Sequence, residues 1–120
     1  MNVERTFDLL DRYRDLFIKD DALCGKQDGV WVKYSSRDYI DNSFNFSYGL
    51  LEIGIKKGDK IITVSNNRPE WNFVDSGMSM IGVIHVPVFT SLSTDEYQYI
   101  INHSGAKMIF VSDKKLFKIV

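Results

Sequence analysis

The chain has 120 residues, 44% of them hydrophobic and 13% aromatic, which is enough to fill one real core and too apolar for a disordered segment. With 15 basic and 16 acidic residues the net charge is -1, so no general field draws the chain to nucleic acid or to an anionic membrane, and any anion site has to be local. A single cysteine, Cys24, excludes an internal disulfide, and no Cys/His spacing suits zinc; both features point to a reducing compartment, by default the cytoplasm.

Charges interleave with Leu and Phe from Met1 to Lys19, a pattern that fits neither a signal peptide nor a membrane span. From Val3 onward Phe7, Leu10, Tyr13 or Arg14, and Phe17 step by three and four, which predicts a helix of roughly four turns with one apolar face. Ala22-Leu23-Cys24 and Val30–Tyr34 flank the turn-prone Lys26-Gln27-Asp28-Gly29, predicting a β-hairpin, a satellite of any main sheet, with Asp28-Gly29 at the positive-φ position. Ser35 or Ser36 caps the next helix with Asp38 in its first turn. Two rows, Tyr39, Ser43, Phe46, Leu50 and Ile40, Phe44, Ser47, Leu51, give that helix a broad buried face, and Gly54 ends it.

The most informative stretch is Gly58 to Trp71, GDKIITVSNNRPEW, in which an apolar strand passes directly into a helix start. Asn67 is the expected cap and Pro69 sits in the first turn, where its missing N–H costs little; Trp71, Val74, Met78 and Ile81 form the inner stripe. A second apolar run covers Ile84 to Phe89. Ser93 and Glu96 then fit a capping box, Tyr97, Ile100 and Ile101 face the sheet, Gly105 stops the helix in the left-handed region, and Met108–Val111 is a third strand. Strand, helix, strand, helix, strand is the order of a parallel sheet. The expected class is α/β: an N-terminal helix and small hairpin, then a βαβαβ doubly wound parallel subdomain. Lys114 to Val120 begins another element and stops on apolar residues, so the subdomain is expected to be incomplete, with at least one sheet edge unpartnered. No repeat, linker or low-complexity tract divides the chain, which reads as one folding unit.

GDKIITVSNNRPEW followed by GVIHVPVFTSLSTDEYQYIINHSGAKMIFVSD resembles the opening part of the AMP-forming acyl-CoA synthetases, most of all their long-chain fatty acid branch. The resemblance runs from about Trp31 to Asp113 and rests on strand, turn and cap residues, with no catalytic signature. It implies that residues 1–120 are the N-terminal part of a large AMP-binding (adenylation) domain. The enzyme so implied uses ATP, Mg²⁺ and coenzyme A, with a fatty acid as substrate. It also implies that the phosphate loop, the ribose-binding Asp and the adenylation lysine of that family lie beyond Val120, so that the 120-residue chain alone is catalytically inert. The corresponding family turn lies near the channel for the pantetheine arm, which offers Phe89 as an apolar wall and the Thr90 and Ser91 hydroxyls as partners for the arm's amides. A turn of packing and capping residues explains the same three positions.

Other candidates read as structural. Gly25-Lys26 with Gly29 lacks the spacing of a phosphate-binding loop. His85 has no Asp, Ser or Cys at suggestive spacing and reads as a strand histidine bonded to backbone or water, while His103 suits a helix C-terminus. In the cluster Asn67-Arg68-Pro69-Glu70-Trp71, capping, the helix dipole and core packing account for every member. Lys114, Lys115 and Lys118 match some relatives' coenzyme A contacts in charge only and read as a solvated face. Cys24 reads as a small packing residue, and the sequons at Asn45 and Asn102 as chance matches without a secretory signal. No catalytic or metal-ligating residue is assigned. A free-standing α/β binding module is the alternative to the ligase. A receiver-like domain would need clustered acids at strand ends, where only Asp59 and Asp113 stand.

Overall fold

The computed structural model describes residues 2–120. Its order is α1 (Asp8–Leu16), β1 (Leu23–Gln27), β2 (Val30–Tyr34), α2 (Ser36–Glu52), β3 (Lys60–Val64), α3 (Pro69–Met80), β4 (Ile84–Val88), α4 (Thr94–Ser104), β5 (Met108–Val111) and α5 (Lys114–Ile119). The α/β architecture expected from the sequence is present. β1 and β2 form a separate antiparallel pair closed by Asp28 and Gly29, both at positive φ (48° and 81°), the backbone of a two-residue hairpin turn. The three-stranded sheet is parallel in the order β4-β3-β5.

Alternation along β3 divides the core. Ile61 packs with Leu50, Ile55, Met78 and Val83 beneath α2 and α3, while Ile62 and Val64 pack with Tyr97 and Leu116 beneath α4 and α5. Neighbouring strands repeat the pattern: Met108 and Phe110 join the first cluster, and Ile109, Val111, Val86 and Val88 the second. Helices on both faces make the sheet doubly wound. β4 tolerates Pro87 because it is an outer strand, bonded to β3 on one side only, where the missing N–H can face outward.

Capping explains where the helices start. Ser35 and Asp38 form a full capping box on α2, and Ser93 and Glu96 another on α4; Gly105 closes α4 at φ 65°, and Asp113 caps α5 by accepting from Leu116 N–H. Several details differ from expectation. Helix α1 begins at Asp8, not Val3, because the buried Asp8 carboxylate accepts the backbone N–H groups of Glu4 and Arg5 and pairs with the Arg5 guanidinium, fixing a turn ahead of the helix. On its face only Leu10 is fully buried, and Phe17 is half exposed. The cap of α3 is Arg68 in extended conformation, with Pro69 at the first helical position, so Asn67 lies one residue too early. Of the expected α3 stripe, Met78 is buried and Val74 and Ile81 pack against the first core, while Trp71 is only half buried and Phe73 and Gly77 add buried positions beside it. On α2, Phe44 and Leu51 face solvent, leaving a narrower buried row of Ile40, Ser43, Ser47 and Leu50.

Candidate functional site

The loop leaving β3 turns toward the face covered by α3, and the loop leaving β5 toward the face covered by α5. Such divergence opens a crevice at the carboxyl ends of adjacent parallel strands, the usual ligand position in open α/β sheets. A cleft of about 930 Å³ lies there, bounded by Ser65–Asn67, by Arg68–Asn72 at the start of α3, by Ser112 and Asp113, and by β1 with Trp31 of the hairpin. The hairpin forms one wall because Gly25 lies flat on Pro69: a Cβ at Gly25 would stand 2.8 Å from Pro69 Cδ.

Hydrogen bonds between the diverging loops hold the floor. Ser112 N–H donates to Val64 O at 3.1 Å, Asn66 N–H to Ser112 Oγ at 3.2 Å, and Asn66 Nδ2 to Asp113 Oδ2 at 3.1 Å. Arg68 donates through Nε and Nη2 to the two Glu70 oxygens (2.8 and 3.0 Å) and through Nη1 to Ser112 O (3.2 Å). Its partner Arg68 holds the Glu70 carboxyl below the ordinary carboxylate range, and Glu70 raises the Arg68 guanidinium in return. Lys26 Nζ sits 5.9 Å from the centre of the Trp31 ring, a cation–π distance. Two cations and two anions thus line the cleft, and the more central cation is already committed to a carboxylate.

Phe89, Thr90 and Ser91 lie apart from this cleft, at the carboxyl end of the outer strand β4. Phe89 is 80% exposed, while its carbonyl accepts a 2.8 Å hydrogen bond from the hydroxyl of the buried Tyr97. Lys114, Lys115 and Lys118 gather on one side of α5 around a shallow depression that also includes Ile119. Cys24 is exposed on the cleft wall. Asp59 sits at the amino end of β3, bonded to Lys56 N–H and to Lys107, whereas Asp113 follows the carboxyl end of β5. The two acids therefore stand at opposite ends of the sheet, which removes the acidic cluster a receiver-like domain requires. Among the described residues no group of three or more His, Cys, Asp or Glu is close enough to hold a metal ion.

One constellation was not legible in the sequence. His85 is bonded to side chains, contrary to the expectation of backbone or water: Nδ1 lies 2.7 Å from Asp75 Oδ1 and Nε2 2.7 Å from Thr63 Oγ1, with Trp71 against the ring at 5.1 Å between centroids. The order hydroxyl, imidazole, carboxylate is that of a hydrolase triad. The hydroxyl, however, belongs to a central-strand residue 4% exposed beneath α3, so no substrate carbonyl can reach it. A pair spaced ten residues apart between a helix and a strand has no local sequence signature.

The family described as AMP-binding enzyme matches residues 16–119. The chain belongs to that family of adenylate-forming enzymes. It is 30% identical across 97% of its length to fatty acyl-CoA synthetase A of Dictyostelium discoideum, and 33% identical across 70% to 4-hydroxybutyrate–CoA ligase 2 of Metallosphaera sedula. It spans only 18% and 15% of those relatives' lengths. In fold it is similar to the crystal structure of IdnL1 (TM-score 0.84, 16% identity, 95% of this chain and 23% of that one). A fatty acid AMP ligase from Legionella pneumophila is similar too (0.81, 14%, 98% and 21%). The expected resemblance is thereby established as kinship, and the doubly wound unit as the family's fold.

Proposed function

We propose that residues 1–120 are the N-terminal part of the large AMP-binding domain of an acid–CoA ligase, which activates a carboxylic acid with ATP through an acyl-adenylate and passes the acyl group to coenzyme A. The family match over residues 16–119 carries this reading, and relatives named as fatty acyl-CoA synthetases favour a long-chain fatty acid as substrate. Continuity of both cores through β3 supports a single unit without an internal boundary.

Within that enzyme this chain supplies scaffold. ATP provides the phosphoanhydride whose cleavage drives adenylate formation, with Mg²⁺ balancing its charge. The residues present do not fit a triphosphate: the cleft's cations are matched by carboxylates, Arg68 is already paired with Glu70, and no glycine-rich run converges backbone N–H groups on an anion. As the chain's own ligand contacts we assign the exposed Phe89 and the Thr90 and Ser91 hydroxyls, for the pantetheine arm of coenzyme A, on the strength of the family resemblance. No helix among the described residues is long and apolar enough to cross a membrane. We place the enzyme in the cytoplasm, with peripheral membrane attachment compatible and no nucleic-acid partner.

The test is pyrophosphate release by the full-length product, given ATP, Mg²⁺ and a series of carboxylic acids, beside the 120-residue chain. Long-chain fatty acids are expected to support release by the full-length product and none by the short chain. Silence of the full-length product across all acids overturns the ligase reading, and turnover by the short chain overturns its assignment as scaffold.

A further inference from the structure

We infer that the amino end of the parallel sheet is a docking surface for an anionic phospholipid bilayer. The inference goes beyond the ligase reading and does not depend on it. Three backbone bonds hold the segments at this end together: Gly58 N–H to Gly82 O at 2.9 Å, Ile84 N–H to Asp59 O at 2.8 Å, and Lys107 N–H to Lys60 O at 2.9 Å. They gather four lysines, Lys56, Lys57 and Lys60 where the chain enters β3 and Lys107 where it enters β5. Lys107 pairs with Asp59 at 2.9 Å, while Lys56, Lys57 and Lys60 form no ion pair among the described residues. Across residues 51–60, 81–85 and 105–108 the acids are Glu52 and Asp59 alone, so this end carries two positive charges in excess on a chain whose net charge is -1.

Apolar side chains stand among these charges. Leu51 and Ile53, where α2 ends, are 50% and 61% exposed, and Ile84, the first residue of β4, is 48% exposed. Tyr48, 61% exposed, lies one turn earlier on α2 and so just above the aliphatic group, the height at which aromatic rings sit at a bilayer interface. Lysines draw a surface toward anionic headgroups over about a Debye length, and the aliphatic side chains then enter the boundary between headgroups and acyl chains. Nucleic acid would answer the lysines but has no apolar layer to receive Leu51, Ile53 and Ile84. This end is opposite the cleft at the carboxyl ends of β3 and β5, so docking leaves that cleft open.

The experiment is co-sedimentation of the full-length product with phosphatidylcholine vesicles, with and without phosphatidylglycerol. Four proteins are compared: the wild type, Lys56→Gln with Lys57→Gln, Leu51→Ser with Ile53→Ser, and Lys114→Gln with Lys118→Gln at the far end of the sheet. The wild type is expected to bind the vesicles that contain phosphatidylglycerol, to leave the others in solution, and to be released as salt is raised. A lysine at an anionic surface is worth roughly fivefold in partitioning, so the first variant should bind roughly ten- to thirtyfold more weakly, and the second roughly tenfold more weakly. The far-end variant should stay within about twofold of the wild type. All six replaced side chains are exposed, and unchanged urea midpoints exclude unfolding as the cause of a loss. Absence of wild-type binding, equal binding to both vesicle types, undiminished binding by either of the first two variants, or an equal loss in the far-end variant overturns the proposal. Pyrophosphate release, measured without vesicles, tests the ligase reading separately, and neither result decides the other.

Discussion

Asp75 Oδ1 lies 2.7 Å from His85 Nδ1, and that bond ties the outer strand β4 to helix α3 across the face of the sheet. An ionised carboxylate only accepts, so Nδ1 carries the proton in this arrangement, and a neutral His85 accepts at Nε2 from the Thr63 hydroxyl. The imidazole thus satisfies both of its nitrogens without water, which explains a histidine side chain 8% exposed on a strand. His85→Ala removes a buried ring and orphans the Thr63 hydroxyl, for a loss of about 2–3 kcal/mol. Amide hydrogen exchange in the 120-residue chain is expected to show the loss first in Ile84–Val88, because among the described residues that strand pairs with β3 alone. Uniform protection in the variant would count against the tie.

The hairpin wall of the cleft depends on Gly25. Its backbone is not in the left-handed region; what excludes a side chain there is the Pro69 ring, 2.8 Å from the position of a Cβ. Proline cannot rotate away, so Gly25→Ala pushes the hairpin off the start of α3 at a cost of about 1–3 kcal/mol. Trp31 and Trp71 face the cleft from its two sides, and their emission is expected to shift to the red as the wall opens. Unchanged emission would mean that the hairpin is held by other contacts.

The sequence made the strands, the two capping boxes, the Asp28-Gly29 turn and the Gly105 stop legible because each is a local pattern that backbone sterics and hydrogen-bond satisfaction dictate. Legibility ended where distant segments meet. The capacity of the hairpin to dock on Pro69 is invisible in its own residues, and so is the cleft that this docking walls at the β3 and β5 ends. The same holds for Thr63, Asp75 and His85. Arg68 displaced Asn67 as the cap because Pro69 fixes the first helical residue, leaving the position before it extended whatever its side chain.

Acid is expected to destabilise the fold through carboxylates already committed in the native state. Backbone N–H groups of Ser35, Ser93, Lys56 and Leu116 hold Asp38, Glu96, Asp59 and Asp113 below their ordinary values of 3.8 for Asp and 4.5 for Glu, and the Arg5 side chain does the same for Asp8. Because the folded values are the lower ones, their stabilisation is complete above the unfolded values and is lost as pH falls through the folded ones. Urea midpoints are therefore expected to be level near neutrality and to decline below about pH 4.5. An Asp38→Asn, Glu96→Gln double variant should show a shallower decline. An equal slope in the double variant would show that other groups take up the protons.

Gly77 and Gly49 separate two roles of helical glycine. On α3, a Cβ at Gly77 would stand 2.7 Å from the Ser43 carbonyl oxygen and 2.9 Å from Phe46 Cδ1, while Ser47 Oγ donates to Gly77 O at 2.6 Å. The obstructing atom is backbone, so α2 and α3 must separate to admit a methyl group. Gly77→Ala is expected to cost about 2–3 kcal/mol even after the roughly 1 kcal/mol gain in helix propensity. Separation also breaks the Ser47 bond, so adding Ser47→Ala should cost less in that background than in the wild type, a coupling readable in a double-mutant cycle. Gly49, on the exposed side of α2, has no heavy atom within 4 Å of its Cβ position, and Gly49→Ala should raise stability by about 0.5–1 kcal/mol. Thermal unfolding of the single variants tests the contrast, and equal shifts in the same direction would show that helix–helix approach is not what fixes glycine at position 77.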